Sequence, residues 1–221
     1  MKLSKASLLL MALAGCSLIK QEQPSFLFEA QKGLGYTVQI AEPEAEYELQ
    51  KLARTSPVEA DWLYVNGRLI DVGIEELADQ TFTATDRILK ECKLNQRLTL
   101  YHVHQGKNST PISPPSGRDI QLYVRLKKEV EQRGASLEEK VIDSEGIWTI
   151  HVDRNMTDAI YNAHRSSNGA FQEKFNRIMK DLVLTTIHSW NYSSDDDAIG
   201  AFIDGAAQRG VILEYQNIKQ Q

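Results

Sequence analysis

The stretch from residue 97 to residue 152 most constrains the fold, because strand and helix patterns follow one another there without a long gap. Arg97 to Val103 alternates in the manner of a half-buried strand. Ser116 opens a helical pattern that runs to about Arg133 and is closed by Gly134. A hairpin around Ser144-Glu145-Gly146 follows, formed by residues 140–142 and 147–152. These elements predict an α/β or α+β domain.

The flanking segments continue the same alternation. Upstream, a strand at 36–40 precedes a helix from Pro43 to Leu52, and Asn66-Gly67 joins two short apolar runs as a hairpin signal. Residues 83–86 can then cap a helix with Ile88 on its inner face. Downstream of residue 152 the pattern is mostly helical, with a helix over 171–190, another from Ser194 to Gly210 and a last strand near 211–215. We therefore predict a domain over 35–152 and a mostly helical C-terminal extension over 153–221.

The first fifteen residues have the pattern of an export signal. A cationic start at residues 1–5 precedes an apolar run from Ala6 to Ala14, which is far shorter than the ~20 residues of a membrane-spanning helix. The run ends in Leu13-Ala14-Gly15-Cys16, which resembles the lipobox of bacterial lipoproteins. The resemblance implies cleavage before Cys16, acylation of that residue, and a tether over 16–34. Ser17 resembles the sorting signal for the outer membrane, so the expected location is the bacterial cell envelope, on the periplasmic side of that membrane.

Charge and cysteine content change once the leader is removed. The formal charge changes from −5 for the full chain to −7 for the chain without the leader, because the leader contains Lys2 and Lys5 and no acidic residue. An acidic chain is a poor match to a nucleic-acid binder, which depends on phosphate neutralisation. Two acyl chains would anchor the protein stably to a membrane. With Cys16 acylated, Cys92 has no partner for an intramolecular disulfide and is predicted to be a small, buried apolar side chain.

One strand carries the residues with the most distinctive chemistry. Because strand side chains alternate, His102 and His104 share a face with Leu98 and Leu100, and both imidazoles lie at the end of the strand. With the carboxylate of Asp119 from the following helix, they form a three-ligand set suited to zinc with one open position. Two simpler interpretations stay open. A His-x-His pair occurs often by chance, and Ser116 with Asp119 is also a capping box.

These residues together resemble the motif of the JAMM metalloproteases, also called MPN+ or JAB domains. That motif has an upstream Glu, then His-x-His-Pro, a loop and Ser-x-x-Asp. His102-Val103-His104 matches the His pair and Ser116-Gly117-Arg118-Asp119 matches the Ser-x-x-Asp element. Glu59 stands where the family has its Glu, after the first helix and before the next strand. The resemblance covers about 35–152 and implies an MPN-like mixed sheet flanked by helices.

The sequence also departs from that motif. Gln105 replaces the Pro that usually follows the second His, and the loop from 105 to 115 is about four residues longer than the compact form. Glu59 lacks the small residues and Gly that normally follow the family's Glu, so Glu75 and Glu76 remain alternative acids for its role.

The resemblance implies a reaction and a role for each residue. His102, His104 and Asp119 would bind zinc, Glu59 would exchange protons with the attacking water and the leaving amine, and Ser116 would hydrogen-bond the oxyanion. The expected activity is zinc-dependent hydrolysis of an amide or isopeptide bond in a peptide, protein or peptidoglycan-like substrate. The alternative is a catalytically silent MPN-like lipoprotein that serves as a binding scaffold.

Overall fold

The computed structural model describes residues 36–56, 59–73, 80–104, 112–189 and 192–217, together with Leu27. The predicted leader (1–15) and Cys16 lie outside these residues, as does the tether (16–34) apart from Leu27. In chain order the elements are β1 (Thr37–Gln39), α1 (Glu42–Thr55), β2 (Ala60–Val65), β3 (Arg68–Gly73), α2 (Gln80–Glu91), β4 (Arg97–Val103), α3 (Gly117–Gln132), β5 (Ser136–Ile142), β6 (Gly146–Val152), α4 (Arg154–Arg165), α5 (Gly169–Thr185), α6 (Asp195–Ala207) and β7 (Val211–Asn217).

All seven strands join one sheet in the order β1-β3-β2-β4-β5-β6-β7. The central pair, β4 and β5, runs parallel because the chain crosses back through α3, and every other pair is antiparallel. The predicted fold class, an α+β arrangement with a mixed sheet flanked by helices, is confirmed.

The turns explain why the predicted hairpins form. Asn66 and Gly67 connect β2 to β3 with φ of 51° and 72°, a left-handed pair that matches the twist of the two strands. In the β5–β6 hairpin, the N–H of Asp143 donates to the carbonyl of Gly146, and the carboxylate of Asp143 accepts from the N–H groups of residues 145 and 146. A short polar side chain at the first position thus fixes the turn.

Alternation along β4 divides the core between the two faces of the sheet. Leu98 and Leu100 face the larger cluster, which α2, α3, α4, α5 and α6 cover. Tyr101 and Val103 face a smaller cluster covered by α1, in which Leu27 is also fully buried. His102 continues the row of Leu98 and Leu100, so it lies on the face that α3 covers.

The C-terminal region is part of this same structure. β7 pairs along its whole length with β6, and α6 packs Phe202 edge-on against Trp148 of β6. The residues predicted as a helical extension therefore supply the last strand of the sheet and part of its larger core. None of the helices in the described part of the chain is both long and apolar enough to span a membrane.

Several helix boundaries differ from prediction. α1 extends to Thr55 and not only to Leu52, and α6 ends at Ala207 and not at Gly210. α2 begins at Gln80, before residues 83–86, which were expected to cap it. α5 ends at Thr185 and not near 190. There the hydroxyls of Thr185 and Thr186 donate to the carbonyls of Asp181 and Leu182, which competes with helix propagation in a run of β-branched residues.

Candidate metal centre

The two predicted histidines lie together at the C-terminal end of β4. His102 is the second-to-last residue of the strand and His104 follows it directly. Their rings meet edge to face with centroids 4.9 Å apart, and the residues are only 3% and 6% exposed. The pair is therefore removed from bulk water and fixed by the strand.

A hydrogen bond at Nδ1 fixes the orientation of each imidazole. Nδ1 of His102 lies 2.8 Å from Oδ1 of Asp61, which stands opposite it on β2. Nδ1 of His104 lies 2.9 Å from the backbone carbonyl oxygen of Ser113. A carboxylate and a carbonyl only accept, so both Nδ1 atoms carry hydrogen, and in the neutral form of each ring the lone pair is on Nε2. This is the arrangement that supports histidine ligands in metalloproteins.

The first turn of α3 brings Asp119 to these lone pairs. Its Oδ1 lies 3.8 Å from Nε2 of His102, and its Oδ2 lies 3.7 Å from Nε2 of His104. Ser116 caps the helix: its Oγ accepts from the N–H groups of Arg118 and Asp119, and its own N–H donates to Oδ2 of Asp119 at 2.6 Å. The capping interpretation and the proximity to the histidines therefore hold together.

Glu59 approaches the same two imidazoles from the start of β2. Its Oε2 lies 3.9 Å from Nε2 of His102, and one ligand atom each from Glu59, His102 and His104 fall within 4.8 Å of one another. This group can hold a metal ion. The side chain of Glu59 is 36% exposed, whereas that of Asp119 is 7% exposed. The two acids therefore differ in access to solvent.

The spacing of these atoms fits metal ligation better than hydrogen bonding. Distances of 3.7–3.9 Å between imidazole and carboxylate atoms exceed the usual range of a hydrogen bond. Tetrahedral ligands about 2.0–2.1 Å from zinc lie roughly 3.3 Å apart, so the observed gaps need to close by about half an ångström.

Charge within the site favours an ionised ligand. Burial by itself raises the pKa of Asp119, but the positive charge that His102 and His104 carry when protonated and the hydrogen bond from Ser116 lower it by more. The net pKa of Asp119 lies below its ordinary value, so the carboxylate is charged at neutral pH.

The remaining predicted residues are less informative. Glu75, Glu76 and Gln105 lie outside the described residues. Cys92 is half-buried against the larger core, its Sγ donates to the carbonyl of Ile88, and burial raises the pKa of the thiol. A thiol with a raised pKa is a packing side chain and not a nucleophile.

Sequence reasoning missed the residues that orient the ligands. Asp61 follows Glu59 at the strand period of two, which is a signal that could have been used, because a carboxylate there interrupts an apolar strand. Asp143 was also missed. It accepts from the N–H of Ser113, whose carbonyl in turn holds His104. His104 and Asp143 are 39 residues apart in the sequence, so no helix or strand periodicity connects them.

Comparison of the chain with protein-family models, with curated proteins and with solved structures finds no match.

Proposed function

We propose that this protein is a zinc-dependent hydrolase of an amide or isopeptide bond. The observation that carries the proposal is the convergence of His102 Nε2 and His104 Nε2, with their Nδ1 atoms held by acceptors, on the carboxylates of Asp119 and Glu59. Two imidazoles and a carboxylate are a common ligand set for catalytic zinc, which keeps a further position for water.

Solvent access decides which acid takes which role. Asp119 is buried and fixed by the N–H of Ser116, so it is assigned as the third ligand. Glu59 lies near both imidazoles but its side chain is more exposed, so it is assigned as the base. A base must exchange its proton with water in every cycle, and a buried carboxylate on a helix cap is poorly placed for that.

Each residue has a defined part in the reaction. Bound zinc would lower the pKa of a water to near 7 and polarise the substrate carbonyl. Glu59 takes a proton from the attacking water as its oxygen bonds to the carbonyl carbon, and returns the proton to the amine as the carbon–nitrogen bond breaks. Ser116 uses only its oxygen lone pairs in the cap, so its hydroxyl hydrogen is able to donate to the oxyanion.

The order of these residues along the chain supports the likeness to JAMM proteases. Glu59 before β2, the His pair ending β4 and Ser116 with Asp119 opening α3 stand in the order of that motif. We extend the proposal to location: Cys16 carries the lipid, and the folded part faces the periplasm of a bacterial envelope. Its substrate would then be a peptide, a protein or a peptidoglycan-like chain.

Metal analysis of the purified full-length chain tests the metal site. We expect one zinc per chain in the unchanged protein and almost none in His102→Ala. His151→Ala is the matched control, because His151 is exposed on β6 away from the site. Absence of bound zinc after zinc loading would remove the metal site and the reaction built on it.

A second variant separates the roles of the two acids. Glu59→Gln is expected to keep its zinc and to lose hydrolysis of a peptide library by 10²-fold or more, in line with the usual contribution of a general base. Loss of zinc in Glu59→Gln would make Glu59 a ligand. Full zinc occupancy with no hydrolysis in the unchanged protein would favour the scaffold alternative.

A further inference from the structure

A cavity of about 360 Å³ lies directly beside the candidate metal centre. The segment that links the two ligand-bearing elements forms one wall, because Ser113 and Ser116 both line the cavity. The carbonyl of Ser113 holds His104, and the N–H of Ser116 holds Asp119. A molecule in this cavity therefore touches the residues that position the proposed ligands.

The opposite wall is α5, which approaches α3 closely. A Cβ added to Gly117 would lie 2.8 Å from Cα of Asn176, so only glycine allows this contact between the helices. The early end of α5 also matters. The chain folds back after Thr185, where the N–H of His188 donates to the carbonyl of Val183, and this brings His188 to the rim.

The lining combines an apolar surface with positive charge. Pro114, Met179 and Val183 supply the apolar part. Arg118 and Lys180 stand exposed among them, and the described residues that line the cavity include no acid. In a chain with a formal charge of −5, an exposed Lys180 in a cavity whose described lining includes no acid favours a negative group.

We propose that this cavity binds the substrate residue next to the scissile bond, an apolar side chain accompanied by a carboxylate. This inference rests on the proposed function, since it places the residue relative to Ser116 and the metal centre. The volume lies at the lower end of the range for ligand pockets, about 300–1,000 Å³, which suits one or two residues of a peptide. The carboxylate is either the free C-terminus of that residue or the side chain of an acidic neighbour.

Peptide binding tests the proposal without requiring turnover. The probe is an N-terminally fluorescein-labelled Ala-Ala-Leu with a free C-terminus, and fluorescence anisotropy measures its binding to full-length Glu59→Gln. We expect about tenfold weaker binding when Leu is replaced by Lys and when the C-terminus is amidated. Ala-Ala-Leu-Asp with an amidated C-terminus distinguishes the two sources of the carboxylate. This amidated peptide recovers the affinity only if the cavity accepts the carboxylate of an acidic side chain in place of the free C-terminus.

Two variants and two matched controls locate the binding on the protein. Lys180→Glu is expected to weaken binding of the free peptide by about tenfold, whereas Lys174→Glu, on the same helix outside the cavity, leaves it unchanged. Val183→Phe fills the cavity and is expected to abolish the preference for Leu. Leu184→Phe places the same ring on the exposed side of α5 and is expected to have no effect.

The outcomes separate this inference from the proposed function. Equal effects of Lys180→Glu and Lys174→Glu, or no binding of any peptide at millimolar concentration, overturn the cavity assignment even if zinc and Glu59-dependent hydrolysis are both present. Conversely, selective binding that depends on Lys180 and Val183 in a chain that holds no zinc supports a peptide-binding cavity and removes the hydrolase.

Discussion

Two buried aspartates lie at the same end of the sheet, but their carboxylates accept very different numbers of hydrogen bonds. Asp119 belongs to the candidate metal centre, and Asp143 follows β5. β4 and β5 run parallel, so their C-terminal ends coincide, and the N–H of His104 donates to the carbonyl of Ile142 beside Asp143. The two aspartates therefore occupy similar positions in the fold, and they differ in the groups that surround each carboxylate.

The carboxylate of Asp143 is saturated with hydrogen bonds. Within the described chain its Oδ1 accepts from the N–H groups of Glu145 and Gly146, and its Oδ2 accepts from the N–H of Ser113 and the indole of Trp148, all at 2.7–3.0 Å. Each oxygen has two donors, which is its full capacity. Such a residue stabilises the β5–β6 hairpin and the loop at Ser113, and it has no lone pair left to bind a metal ion.

Asp119 is bonded only in part by comparison. The described residues give it one short hydrogen bond, from the N–H of Ser116 to Oδ2. The imidazoles of His102 and His104 stand 3.7–3.8 Å away, beyond hydrogen-bond reach. A buried carboxylate with unused acceptor capacity beside two imidazoles could bind a cation. The comparison teaches that saturation of the oxygens, and not burial, separates a purely structural acid from one that could bind a metal.

Replacing Asp143 by Asn should have the largest effect on stability. The amide keeps one acceptor oxygen, but its NH₂ group faces two of the four N–H donors. Each donor left without an acceptor in a buried site costs about 1–3 kcal/mol. We expect the free energy of unfolding to fall by about 3 kcal/mol in urea titration. The melting temperature should drop by about 6–12 °C for a chain of this size.

Asp204→Asn is the matched control, because Asp204 is exposed on α6. If Asp143→Asn is as stable as that control, the saturated network has no structural weight and the contrast with Asp119 fails.

The second effect tests the other side of the comparison. If His104 and Asp119 bind zinc only in the folded state, saturation at 100 times the dissociation constant stabilises the protein by about 2.7 kcal/mol. We expect added zinc to raise the melting temperature by about 5–10 °C, and EDTA to reverse the change. His104→Ala should lose the shift. His151→Ala should keep it, and a zinc shift that survives His104→Ala would place the metal elsewhere.

The fold was largely predictable because its signals are local. The Asn66-Gly67 turn, the alternation along β4 and the Ser116 cap each act over a few residues, and each element formed where expected. The end of α5 was missed because the hydroxyls of Thr185 and Thr186 can either tolerate a helix or compete with it. Only the packing of the following turn decides between these outcomes.

The sequence predicted which side chains meet at the candidate site but not the residues that orient them. The spacing of His102 and His104 follows from the strand period, and Asp119 follows from the helix start. Asp61 orients His102 through pairing between β2 and β4, and Asp143 orients the loop at Ser113 across two elements. Register and crossover are properties of the assembled sheet. The sequence shows a carboxylate in an apolar strand at Asp61 and a turn residue at Asp143, but it does not show which group either one would contact.

Asp61 offers a third, smaller test, because it acts on the metal only through His102. Loss of an acceptor behind a histidine ligand typically costs 10–100-fold in metal affinity. We expect zinc affinity, measured by competition with a chromogenic chelator, to fall by about 100-fold in Asp61→Ala. Asp61→Asn should recover about half of that loss on a logarithmic scale, since its amide oxygen still accepts from Nδ1. Asp181→Asn, exposed on α5, should bind zinc normally. Equal affinities in all three variants would remove the orienting role.

Asp71 extends the series to a carboxylate that has one described donor, the N–H of Gly73, and it should show the smallest effect. Burial raises its pKa to about 6, although the hydrogen bond from Gly73 and the charge of Arg87 oppose this. The folded protein thus binds the proton more tightly than the unfolded chain does. The carboxyl group favours folding most below pH 4, and that contribution is lost as the pH rises to about 6.

Asp71→Asn removes this pH dependence, because an amide does not titrate. The variant should be more stable than the unchanged protein above pH 6, by about 1 kcal/mol after allowance for solvent screening, and the difference should shrink as the pH falls toward 4. Urea titrations at pH 4, 5, 6 and 7 measure it, with exposed Asp86→Asn as the control. A constant difference across that range would mean that burial does not raise the pKa of Asp71 in the folded protein.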